Sequence, residues 1–166
     1  MEAERDTVLR ERKAFLGNVS DERTFCFARP SEGPLALVIR QSTTGMFLPA
    51  ISKKGRSPTG GMIWDSAEAL TSWLCAQPSL PNHIIEPGAG LGLVSIALAR
   101  LGATTVVATD ADAHARELCA ENAELNLVGN RVTAEHLEWG AFGDEHERYC
   151  AAFDPSQAQI RWASVF

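Results

Sequence analysis

The sequence predicts an α/β fold on a parallel sheet, preceded by an N-terminal helix and a β-hairpin, and three observations predict it. From His83 an apolar run ends in an acid and glycines, a long apolar segment follows, and a second apolar run ends in the acid Asp110. Strand-length and helix-length segments alternate from His83 to about Leu137, the order of a parallel α/β sheet. With 166 residues, of which 45% are hydrophobic, the chain can bury one sizeable core and has little room for a second.

The elements are predicted in order as follows. From Glu4 to Leu16, Val8, Leu9, Phe15 and Leu16 fall on one side of a 3.6-residue period, and Asp6 can pair with Arg10, so an amphipathic helix is expected. Thr24–Ala28 and Leu35–Gln41 read as two short strands around a turn at Pro30, Ser31, Gly33 and Pro34. Ser42 to Gly61 reads as a loop that could clamp a ligand. In GMIWDSAEAL, Asp65 precedes Glu68 by the capping-box spacing, which predicts a helix over Ser66–Ala76. A strand at His83–Glu86, a glycine loop, a helix Leu91–Leu101 closed by Gly102 and a strand Thr104–Thr109 follow. A helix Ala113–Leu127 closed by Gly129 and a strand Val132–Leu137 complete the set. Asn122 and Asn126 share a face of that helix and are expected to be a polar face. The implied organisation is an extension over residues 1–60, a partial core over 61–154 and an atypical tail over 155–166.

Composition excludes several function classes. A formal net charge of −6 argues against a surface that neutralises phosphate backbones, so no nucleic-acid partner is expected. Lys53, Lys54 and Arg56 form the one compact basic patch and read as a solvated loop. MEAERDTVLRERK has no apolar core of the secretory kind, so a cytoplasmic protein is expected, with the nucleus also compatible. The uncharged run Pro87–Ala99 is too short and glycine-broken to span a bilayer, so no membrane partner is expected. Cys26, Cys75, Cys119 and Cys150 form no CxxC pair and are expected to be reduced and mostly buried. His83, His114, His136 and His146 are scattered, and His146 with Cys150 on one helix face is too few ligands for zinc, so no metal site is assigned.

The stretch HIIEPGAGLGLVSIALARLGATTVVATD carries the chemistry. Strand, glycines, apolar helix and second strand make half of a doubly wound, Rossmann-like nucleotide-binding unit. Gly88 and Gly90 permit a tight turn and close backbone approach to a ligand, Gly92 permits close packing of the helix on the strand, and free helix-start amides face the ligand. The spacing is GxGxG rather than the dinucleotide GxGxxG, with Glu86 two residues before the first glycine. A carboxylate there attracts the ammonium and sulfonium of S-adenosylmethionine and repels a pyrophosphate. Asp110 stands where an acid accepts hydrogen bonds from both ribose hydroxyls, which an NAD ribose would satisfy equally well. A plain glycine turn is the bland alternative, which the ordered run of strand, acid, glycines, helix, strand and acid disfavours.

On these residues the sequence resembles the seven-strand class of S-adenosylmethionine methyltransferases, in particular its protein-lysine methyltransferase family, over about Gly61–Gly140. GMIWDSAEAL resembles the family's tryptophan-aspartate segment, IIEPGAGLGLVSIALARLGA with VVATD its first two motifs, and HLEWG the segment after the third strand. The resemblance implies cofactor contacts from Trp64, Glu86, Gly88, Ala89, Gly90 and Asp110, with Glu138 or Trp139 bordering the adenine. Trp64 and Trp139 read alone would be core or rim aromatics, and Trp73 and Trp162 are given no role.

The implied activity is methyl transfer from S-adenosylmethionine to a lysine side chain of a protein substrate. The resemblance departs at the C-terminus, where Phe153 and Asp154 could open a fourth strand but Pro155 follows at once. The family's Asp-x-x-Tyr motif is absent, since Tyr149 is preceded at that spacing by His146, and no catalytic base is assigned. A truncated product is therefore expected, with an open sheet edge that a partner chain could cover. A catalytically silent remnant binding cofactor or protein is the rival reading, and an NAD-dependent oxidoreductase is a third.

Overall fold

The computed structural model describes residues 20–30, 32–42 and 60–138. The expected helix over residues 4–16, most of the 42–61 loop with its basic patch, Trp139, Tyr149, Cys150 and the tail lie outside the described residues.

Two strands come first, β1 (Ser20–Phe27) and β2 (Leu35–Ser42). They pair antiparallel in a register that sets Glu22 opposite Arg40 and Phe27 opposite Leu35. The period of two divides the hairpin into a wet and a dry face: Phe25, Phe27, Leu35, Leu37 and Ile39 are buried while Thr24, Cys26 and Ala36 are exposed. The expected strands are therefore present, the first beginning four residues earlier than its apolar stretch. Cys26 on the wet face corrects the expectation for the cysteines in part, since Cys75 and Cys119 are buried and Cys26 is exposed.

Helix α1 (Asp65–Cys75) follows, with Thr71, Leu74 and Cys75 on its buried side. Its N-cap is Trp64, which makes no side-chain capping bond, rather than Asp65. The expected capping box is thus replaced by Asp65 and Glu68 in the first turn, where their charge meets the positive end of the helix dipole.

The remainder is two successive strand-helix-strand units: β3 (His83–Pro87), α2 (Leu93–Arg100), β4 (Thr105–Asp110), α3 (Ala113–Leu125) and β5 (Val132–His136). The strands form a parallel sheet in the order β3-β4-β5, with Pro87 beside Thr109 and Asp110 beside His136. The predicted parallel α/β fold is observed. Every residue of α2 from Leu93 to Ala99 is buried, which is why its sequence is apolar all round rather than striped. The turn after it is closed by Gly102 at φ 113°, with Ala103 N–H donating to Leu98 O and Gly102 N–H to Ala99 O, a Schellman ending.

The end of α3 differs from expectation. The same pair of bonds recurs, Val128 N–H to Ala123 O and Leu127 N–H to Glu124 O, but the left-handed residue is Leu127 at φ 61°, not the later Gly129. Buried Val128 supplies the apolar contact that this ending favours.

The hairpin packs its dry face on α2 and α3, so Leu37 and Ile39 share one core with Ile96, Val106 and Cys119. Asn122 and Asn126 join the two parts and are almost fully buried, which corrects the expected polar face. Asn126 accepts from Val38 N–H (2.9 Å) and donates to Val38 O (2.7 Å); Asn122 accepts from Arg40 N–H (2.8 Å) and donates to Arg40 O (3.1 Å). The backbone groups on the outer edge of β2 are thereby satisfied. The Arg40 guanidinium also bridges Glu22 of β1 and Glu121 of α3. No helix among the described residues is long and apolar enough to cross a membrane.

Candidate functional site

In a parallel sheet all strands end on one side, and here β3, β4 and β5 deliver Pro87, Asp110 and His136 to that side. The glycine loop, Asp110 and Glu138 therefore lie along one edge, the crevice where open α/β sheets take ligands.

The loop is built on left-handed backbone. Gly88, Gly90 and Gly92 have φ of 71°, 52° and 82°, a region that costs an L side chain roughly 1–2 kcal/mol. Ala89 N–H donates to Thr109 O on β4 (2.8 Å), and Gly92 N–H donates back to Ala89 O (2.9 Å). Gly92 serves close packing, though against a neighbouring helix rather than the strand: a Cβ there would lie 2.5 Å from the Cys119 sulfur of α3. The segment entering α1 crosses the loop, since a Cβ on Gly90 would lie 3.6 Å from the Gly60 carbonyl oxygen.

Two carboxylates converge on this loop. Asp110 accepts Gly90 N–H at Oδ2 (3.0 Å) and Asp112 N–H at Oδ1 (2.9 Å), while Arg116 grips the Asp110 carbonyl (2.7 Å). A carboxylate offers about four acceptor directions, so each Asp110 oxygen keeps one for an incoming hydroxyl. Asp112 caps α3 by accepting His114 N–H (2.8 Å). Glu86 accepts from the hydroxyl of Ser95, in the first turn of α2. Thr109 Oγ1 donates to the Glu86 carbonyl (3.1 Å) and ties the two strand ends together.

The expected free amides are thus partly corrected: Gly90 N–H already holds a carboxylate of the chain itself. The place where a phosphate would sit is occupied by fixed negative charge. Burial pushes the Glu86 carboxyl up to about 7, Ser95 opposes that rise, and the Asp110 charge adds to it. Burial together with these same two carboxylates pushes the Cys119 thiol up to about 12, which leaves it a packing group rather than a nucleophile.

The other expected site residues are less enclosed. Trp64 is 57% exposed at the start of α1, and Glu138 is exposed just beyond β5. Trp139 lies outside the described residues. Among the described residues no group of three or more His, Cys, Asp or Glu could hold a metal ion. Ser95 and Asn122 are not singled out by any motif, yet the structure joins both to the loop, Asn122 through a bond from its amide to Leu91 O (3.1 Å). A signal for each existed. Ser95 is the one polar side chain between Leu91 and Ala99, and Asn122 continues the buried period of Ala115, Leu118 and Cys119.

The profile of a family described as lysine methyltransferase matches residues 48–150, which is more than half of the chain. The chain belongs to the lysine methyltransferase family. This family member is 37% identical over 78 residues to a ribosomal protein L11 methyltransferase of a Geobacter species, covering 47% of this chain and 25% of that one. It is 31% identical over 87 residues to a protein N-terminal and lysine N-methyltransferase of Cryptococcus neoformans, covering 49% of this chain and 29% of that one. It is 39% identical over 83 residues to a ribosomal protein L11 methyltransferase of Citrifermentans bemidjiense, covering 48% and 26%. The chain therefore spans about a quarter of the length of the curated relatives it matches.

Proposed function

We propose that this chain carries the S-adenosylmethionine site of a methyltransferase that acts on a lysine side chain of a protein. The observation that carries the reading is the pair of carboxyl groups at the strand ends beside the glycine loop, Asp110 holding Gly90 N–H and Glu86 holding the Ser95 hydroxyl. A loop flanked by two carboxyl groups suits a ligand with an ammonium, a sulfonium and ribose hydroxyls, and disfavours one with a pyrophosphate. The donor set therefore fits this cofactor. Family membership and the names of the relatives support methyl transfer to a protein amine in the same direction.

When bound, the cofactor supplies an electrophilic methyl group on a sulfonium. The chain's residues hold that group in place. Asp110 would take the ribose hydroxyls on its two remaining acceptor directions, and Glu86 would face the ammonium. Gly88, Ala89 and Gly90 let the ligand approach the backbone closely, and Trp64 and Glu138 stand at the rim. In-line displacement needs the donor and a deprotonated, desolvated amine held at attack distance, so positioning is the main contribution asked of the protein. No described residue is assigned to accept the lysine proton.

The test is a calorimetric titration of the chain with S-adenosylhomocysteine and, separately, with NAD, followed by a labelled-methyl transfer assay on protein lysates. Binding of S-adenosylhomocysteine, no heat with NAD and label on lysine are expected. Heat with NAD alone would overturn the reading, and cofactor binding without transfer would remove its catalytic half.

A further inference from the structure

We propose that Ser95 is a positioning residue of this site, whose hydroxyl grips the Glu86 carboxylate and presents it as the anionic partner of a ligand ammonium. The inference rests on the cofactor reading above. Ser95 is completely buried in the first turn of α2, among residues that are otherwise apolar. A buried hydroxyl without a partner costs stability, and alanine forms helix better than serine, so packing alone does not account for this side chain. Its partner is the one carboxylate on the preceding strand, and the hydroxyl bond limits that carboxylate's freedom to turn away.

The groups that face Glu86 are few. Asp110 approaches from β4, Cys119 from α3 and Ser95 from α2. Asp110 and burial favour the protonated acid, and among the described residues Ser95 favours the anion. Ser95 therefore governs how much of Glu86 is ionised near neutral pH. Binding of an ammonium requires the anion, so each ligand that meets a protonated Glu86 displaces one proton, which passes to the buffer.

S-adenosylhomocysteine is the probe, titrated into the full chain between about pH 6 and pH 8, below the range where an amine of its type loses its own charge. Titrations in two buffers of different ionisation heat measure the proton directly. The wild type is expected to release a fraction of a proton that shrinks as pH rises, with affinity increasing over the same range. In Ser95→Ala the Glu86 carboxyl ionises later; a displacement of about one pH unit weakens binding roughly tenfold at pH 6 and only about twofold at pH 8. Ser95→Thr keeps the hydroxyl and is expected to restore the wild-type profile. A loss in Ser95→Ala that is equal at every pH, or zero proton release by the wild type, overturns the role of Ser95 and leaves the cofactor reading standing. The wild-type proton count needs no variant, so it decides even where Ser95→Ala does not fold. Absence of binding by the wild type at every pH overturns both.

Discussion

Asp110 holds the backbone amides of Gly90 and Asp112 through one carboxylate, and its substitution tests the site most directly. Asp110→Ala is expected to weaken binding of S-adenosylhomocysteine by roughly 1.5–3 kcal/mol, the usual loss for charge-assisted hydrogen bonds, and unchanged affinity in calorimetry would sink the ribose assignment. The identity of this residue was legible in the sequence because an acid closing an apolar strand has few other uses. Its bonds to Gly90 and Asp112 were not, since they depend on the path the glycine loop takes after three left-handed residues. Leu127 shows the opposite case. A β-carbon at φ 61° on a residue that is 86% exposed carries strain and gains little from packing. Leu127→Gly is therefore expected to stabilise the chain by about 1 kcal/mol in denaturant unfolding, and a destabilised variant would show that the exposed side chain has a partner. Motif logic placed this helix ending at Gly129, because glycine is the usual occupant of a left-handed cap.

Among the elements, α3 makes the contacts that composition did not announce. Asn122 and Asn126 each satisfy both the N–H and the C=O of one β2 residue, so alanine at either position leaves two buried backbone groups unpaired. Each substitution is expected to cost on the order of 2 kcal/mol in urea unfolding, and Asn122→Ala is also expected to loosen the Leu91 turn and weaken cofactor binding. A second contact on α3 can be tested by exchange. Gly92→Ala brings a Cβ to 2.5 Å from the Cys119 sulfur. It is expected to be severely destabilising, with Cys119→Ala recovering the part due to the clash but not the part due to the φ of 82°. Full recovery would show that the backbone can relax. The type and order of the elements from β1 to β5 were readable from periodicity; helix ends, which capping geometry decides, moved by up to two residues, and the start of β1 moved by four. The contrast between α2 and α3 explains the difference in difficulty. An apolar run such as Leu93–Ala99 announces its burial, whereas buried asparagines look like surface until their partners are known.

For the whole molecule, one core joins the hairpin to the parallel sheet. Heating is therefore expected to show a single transition in both far-ultraviolet and aromatic signals, because Phe25 and Phe27 share that core with Ile96 and Val106. Saturation with S-adenosylhomocysteine at a hundredfold excess over its Kd is expected to add about 2.7 kcal/mol, a rise of roughly 5–10 °C in Tm. No rise with this ligand would contradict the proposed site. The parallel sheet was legible because strands alternating with helices leave few other arrangements. Where the hairpin would dock was not, since nothing local in Leu35–Ser42 names α3 as its neighbour. That docking depends on a coincidence of repeats. Four residues of a helix advance about 6 Å and two residues of a strand about 6.6 Å, so a helix carrying amides at every fourth position can be read by a strand as though another strand lay beside it. Asn122 and Asn126 imitate two peptide groups in this way, and a shift of β2 by one residue would turn its outward-facing N–H and C=O groups away from both. The helix thus acts as a ruler that sets the strand's position, and it closes an edge that would otherwise invite another chain to extend the sheet.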